Sequence, residues 1–186
     1  MEPYDQNIVT FHAMFVGYVD ALNRFEVATR DTDPVLSYTA MAEALNWAVA
    51  LDERTRAHFV PNGRPVGYGW RDMIPNGEIM GGVSFARNSV HHDWSDAMEP
   101  RSGREGGWAW RAADDLPPPS KPQYADNEAM YRNDMEGRPV WLILDVLGGV
   151  FLTLQHLLEP YTMPRGLPSP AVNEYPFPAM EAGITP

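Results

Sequence analysis

Val140-Trp141-Leu142-Ile143-Leu144-Asp145-Val146-Leu147-Gly148-Gly149-Val150-Phe151-Leu152-Thr153-Leu154-Gln155-His156-Leu157-Leu158 is mostly apolar and nearly as long as the roughly 20 residues that cross a bilayer as a helix. Its polar punctuation argues against insertion. Asp145 lies near the centre, Gly148-Gly149 follows, and Gln155 and His156 polarise the end, a pattern suited to a buried helix or a subunit interface. Val140, Leu144, Leu147, Phe151, Leu154 and Leu158 recur at helical spacing, and Pro139 is placed to open the helix. Just upstream, Tyr124 to Glu136 reads as a polar helix stopped by Gly137.

The same period governs the N-terminal third. From Asp5 to Arg30, Ile8, Phe11, Phe15, Val19, Leu22 and Phe25 repeat every three or four residues, which gives helix one a single buried face. Asp33 can cap and Pro34 suits a first helical position, so helix two starts there and runs to Phe59 with Val35, Tyr38, Met41, Leu45, Val49 and Asp52 on its repeating face. Prolines 61 and 65 with glycines 63, 67 and 69 make residues 60–77 a loop or irregular arm. Ile79, Val83, Ala86, Val90 and Ala97 predict a third helix from Asn76 to Glu99, closed by Pro100.

Residues 100–123 hold Gly106-Gly107, Trp108, Trp110 and Leu116-Pro117-Pro118-Pro119, an irregular Trp/Pro-rich excursion with room for a strand or two. Beyond Glu159 the prolines at 160, 164, 168, 170, 176, 178 and 186 forbid helix. The expected architecture is therefore all-α: a bundle of four or five helices over residues 1–158, with insertions at 60–77 and 100–123, then an extended proline-rich tail over 159–186.

Composition narrows the function classes. A net charge of −11 opposes any general electrostatic grip on nucleic acid, and 13 of the 14 basic residues are Arg, suited to directed phosphate contacts. The absence of cysteine excludes disulfides and thiolate zinc sites. With no basic-then-apolar leader at the N-terminus, a cytoplasmic location is expected. No phosphate-binding glycine loop, dinucleotide fingerprint or serine nucleophile elbow is present.

The chemistry-bearing run is Phe85-Ala86-Arg87-Asn88-Ser89-Val90-His91-His92-Asp93-Trp94, in the middle of predicted helix three. Arginine offers a permanently charged fork that matches phosphate oxygens, and histidine exchanges protons near neutrality. Together they are what metal-free phosphodiester cleavage requires. The run resembles the Arg-Asn-x-x-x-His signature of the HEPN (higher eukaryotes and prokaryotes nucleotide-binding) superfamily, helical bundles that include RNA-cleaving toxins and defence nucleases. The resemblance covers this short motif. It implies a homodimer in which paired motifs form one composite cleft, with no cofactor. Arg87 would stabilise phosphate charge, His92 would be the acid or base, and Asn88 would orient them. RNA, and a protein partner such as a cognate antitoxin, are the ligands it implies.

Helical geometry complicates the choice of histidine: Arg87 and His91 lie about 40° apart around a helix, Arg87 and His92 about 140°. The family spacing selects His92, with His91 supporting. Asp93 and Asp96 can hold an imidazole in one tautomer or stand as solvated residues, and Trp94 supports the motif by packing. Two other classes compete. In one, a non-catalytic dimeric interaction or inhibitor module uses the acidic surface, with Trp108 and Trp110 as partner-binding anchors. In the other, a metal-binding bundle draws ligands from His91, His92, Asp93 and His12 or His58. Adjacent helical residues diverge by about 100°, and no Glu-x-x-His occurs, so no metal ligand set is assigned.

Overall fold

The computed structural model describes residues 3–30, 32–58, 70–92, 96–101, 107–119, 121 and 125–158. Among them are five helices: α1 (Pro3–Arg30), α2 (Pro34–His58), α3 (Met80–His92), α4 (Ala125–Asp134) and α5 (Val140–Leu158). One two-stranded antiparallel ribbon accompanies them, β1 (Met98–Pro100) with β2 (Trp108–Trp110). The protein is an all-α bundle, and the proline-rich tail lies outside the described residues. No helix among the described residues is long and apolar enough to cross a membrane.

α1 and α2 form an antiparallel hairpin because only a short turn joins them. Asp33 caps α2 as its sequence predicts, its Oδ1 accepting from the Leu36 amide at 2.9 Å. Gly17 brings the two helices close: a Cβ there would lie 2.6 Å from Cε2 of the Trp47 indole. The apolar repeats converge on one core. Phe11, Phe15, Leu22 and Phe25 of α1, Met41 and Leu45 of α2, and Leu144, Leu147, Phe151 and Leu154 of α5 are all buried. Phe151 packs edge-on against Tyr18, ring centroids 5.2 Å apart, and the Tyr18 hydroxyl donates to the Leu144 carbonyl.

α3 and α4 meet across a second glycine contact, where a Cβ on Gly82 would fall 3.0 Å from the Tyr131 Cα. Close approach puts Tyr131 between Phe85 and Trp110, at centroid distances of 5.1 and 6.4 Å. Its hydroxyl donates to the Arg111 carbonyl at 2.7 Å.

Four expectations change. Helix three does not reach Glu99: α3 stops at His92, Asp96 Oδ1 accepts from the Met98 amide at 3.2 Å, and Met98–Pro100 pairs as a strand with Trp108–Trp110. A ladder to a later segment of the chain, invisible to local periodicity, outweighs the helical pattern there. The C-terminal half of the predicted loop at 60–77 is ordered: Trp70 is buried, and 3₁₀ turns occupy Arg71–Met73 and Gly77–Ile79. Residues 59–69 lie outside the described residues. Val35, assigned to the repeating face of helix two, is 71% exposed. Trp110, expected as a partner-binding anchor, is fully buried against Tyr131, and its ring serves the core.

Candidate functional site

Two arginines are held by α2, and their settings differ. Arg71, in the first 3₁₀ turn, donates from Nε and Nη2 to the two oxygens of Asp52, at 3.2 and 2.6 Å. The Trp70 indole donates to the same carboxylate at 3.0 Å. The arginine and aspartate side chains are 9% and 3% exposed, so this is an ion pair sealed from water. Its geometry is what a buried pair requires: a bidentate fork, with a third donor, the indole N–H, on Oδ1. Gly77 packs on the Arg71 carbonyl, where a Cβ would clash at 2.3 Å. This cluster fastens residues 70–79 to α2.

The motif arginine lies on the α2–α3 seam. Arg87 is half-buried. Its Nε donates to Asn46 Oδ1 of α2 and its Nη1 to Asn88 Oδ1, both at 3.2 Å. Two carboxamide oxygens thus fix the direction of the guanidinium without bringing charge of their own. Asn88 is half-buried beside it, and His91 is exposed one helical turn on. His92 is the last residue of α3, with its side chain outside the described positions, and Asp93 and Trp94 also lie outside them.

At the far end of the seam, Asp96 is exposed and pairs with Arg111 at 3.5 Å. The Tyr38 phenol pKa is raised, first by burial and then by the charge of Asp96. Trp108 is half-buried on the ribbon and packs against the core. His12 is buried in α1, and among the described residues its Nδ1 has no hydrogen-bond partner. His58 ends α2, its side chain outside the described set. Among the described residues no three His, Asp or Glu side chains cluster to hold a metal ion.

The structure therefore joins Arg87, Asn88 and His91 into one stripe and adds Asn46, which sequence reasoning missed. Nothing marks Asn46 in the chain: a polar residue on a helix is unremarked until the facing helix is known. Asp52 did carry a signal, since a carboxylate within an apolar repeat must find a cation or stay protonated. Chemically, the seam offers one fixed guanidinium and one exposed imidazole, an anion contact next to a proton carrier. One copy supplies only part of the acid, base and charge set that cleaving a phosphodiester demands. No family model, curated protein or solved structure matches the chain.

Proposed function

We propose that this chain is a HEPN-like, metal-independent endoribonuclease of the toxin or defence type, with a composite site built from the motifs of two copies. The observation that carries the reading is the clamping of Arg87 by Asn46 and Asn88 on the helix that also bears His91 and His92. A guanidinium oriented in advance loses little freedom when it meets a phosphate, which is the condition for stabilising a developing phosphorane. In this reading one histidine takes the proton of the ribose 2′-hydroxyl, whose oxygen attacks phosphorus. A histidine from the second copy gives a proton to the departing 5′-oxygen. The products are a 2′,3′-cyclic phosphate and a 5′-hydroxyl end.

Cleavage of a mixed-sequence RNA in EDTA, by wild type and by Arg87→Ala, His91→Ala and His92→Ala, tests the proposal. Expected are chelator-resistant cleavage, cyclic-phosphate ends, and losses on the order of 10²–10⁴-fold in Arg87→Ala and His92→Ala, with a smaller loss in His91→Ala. No cleavage by folded wild type would sink it. The charge of −11 favours a second reading, an interaction module that repels nucleic acid and binds a protein. No binding of RNA by the folded protein moves that reading forward.

A further inference from the structure

α5 is the most apolar helix of the chain; it contains no Lys or Arg, and Asp145 is its one carboxylate. The residues that α5 does not bury share one side. Trp141 is 49% exposed, Asp145 follows one turn later about 40° round the helix, and Gly149 is exposed one turn further on. A Cβ on Gly149 would meet no atom within 4 Å, so the backbone there is bare and open to close approach.

Asp145 is neither fully solvated nor paired. It is half-buried, burial raises its pKa, and no neighbouring charge contributes to that shift. Among the described residues its carboxylate has no hydrogen bond and no ion pair. Asp52 is the contrast, closed by Arg71 and the Trp70 indole. Taking water from a carboxylate costs free energy until a cation or a donor meets it, and a binding partner that brings one recovers that cost.

The indole selects the partner. Its ring face carries negative charge and attracts a cation lying over it. A guanidinium suits both neighbours at once, because it is flat enough to stack on the ring and turns a fork of N–H groups towards the carboxylate; a lysine ammonium is a point charge without that plane. The chain charge of −11 draws a basic partner and repels nucleic acid.

We propose that the Trp141–Asp145–Gly149 face of α5 docks an arginine-bearing basic segment of another protein, with the guanidinium stacked on the Trp141 indole and paired with Asp145. The bare backbone at Gly149 lets the main chain of that segment come close beyond the arginine. Tryptophan and arginine are the residues that most often anchor an interface at its centre. The surface is separate from the Arg87 seam of α2 and α3, and it stands or falls without reference to RNA cleavage.

The test titrates the full chain into a fluorescently labelled helical peptide of alanine, leucine and arginine, with a counterpart that carries glutamate in place of arginine. Saturable binding is expected for the arginine peptide alone. Asp145→Asn and Trp141→Ala should each weaken it at least about fivefold, while Asp126→Asn, which removes one exposed charge from α4, should leave it within about twofold. Asp145→Asn keeps the shape of the side chain, so its loss of binding reports the charge and not the fold. In proton–nitrogen correlation spectra the Trp141 indole and the Gly149 amide should shift during the titration, and the buried Trp110 indole should not. No binding of the arginine peptide overturns the proposal. So does binding that both α5 variants leave intact, which is what general attraction to an acidic chain would produce. A Trp141 signal that follows protein concentration or an RNA oligonucleotide in place of the peptide gives the face to a second copy or to nucleic acid and also overturns it.

Discussion

Arg71 and Arg87 both reach an acceptor on α2, yet Arg71 forms a sealed ion pair with Asp52, while Arg87 makes half-exposed amide contacts with Asn46 of α2 and Asn88 of its own α3. The difference separates holding a fold from holding a group ready. At Asp52 the charges meet each other and an indole N–H, and the loop they fasten has little freedom left. At Asn46 and Asn88 the acceptors are neutral, and solvent reaches the seam. The energetic stakes follow from burial, because a buried charge stripped of its partner costs several kcal/mol while an exposed amide contact costs little.

The largest expected effect is on the sealed pair. Asp52→Ala leaves the Arg71 guanidinium buried without its carboxylate and should lower unfolding free energy by about 3–5 kcal/mol, read from urea denaturation. Replacing both partners, Asp52→Leu with Arg71→Met, should recover most of that loss, since the penalty lies in the uncompensated charge. A double variant as unstable as the single one would show that the hydrogen-bond geometry, rather than the charge, fastens the loop. Next comes Tyr131→Phe. Its hydroxyl serves the Arg111 carbonyl from a buried ring, and its loss should cost about 1–2 kcal/mol in the same assay. On the seam, Arg87→Met should change stability by less than about 1 kcal/mol. A loss as large as that of Asp52→Ala would make Arg87 a second fastening and erase the contrast.

Asp145 supplies the smallest and sharpest test, being a carboxylate on α5 whose pKa is raised by burial. With the folded pKa above the unfolded one, whatever this group contributes is fully present below the unfolded value and is lost as pH rises through the folded value. Asp145→Asn should therefore match wild type in acid and exceed it near neutrality, by under about 0.5 kcal/mol given solvent screening. Thermal melts across the carboxylate range would show the two curves parting as pH rises. Curves that part in acid instead would mean that Asp145 is stabilised as an anion.

What the chain discloses about itself follows the range of the interactions. α1, α2 and α5 were legible because their buried faces repeat within each helix, and Asp33-Pro34 and Pro139 write two helix starts in local chemistry. The end of α3 was not legible, since Ala97 continues a helical repeat while a ladder to Trp108–Trp110 makes the segment a strand. Trp110 reads as a partner-binding anchor among its glycine and proline neighbours, yet in space its ring is buried against Tyr131. The motif residues Arg87, Asn88 and His91 were readable as a pattern. Asn46 enters only once α2 lies against α3.

The ribbon carries a further consequence, for the order in which the chain assembles. Its two strands are only three residues each, a length with little independent stability. They are also bonded to the α4–α5 turn: Trp110 donates to the Arg138 carbonyl at 3.0 Å, and Gly137 donates to the Trp110 carbonyl at 2.9 Å. The two bonds to the α4–α5 turn can form only where the excursion meets distant helices, and they are lost when those helices part. In hydrogen exchange the Trp110 and Gly137 amides should open with the bundle as one cooperative unit, which makes this irregular arm a reporter of global unfolding.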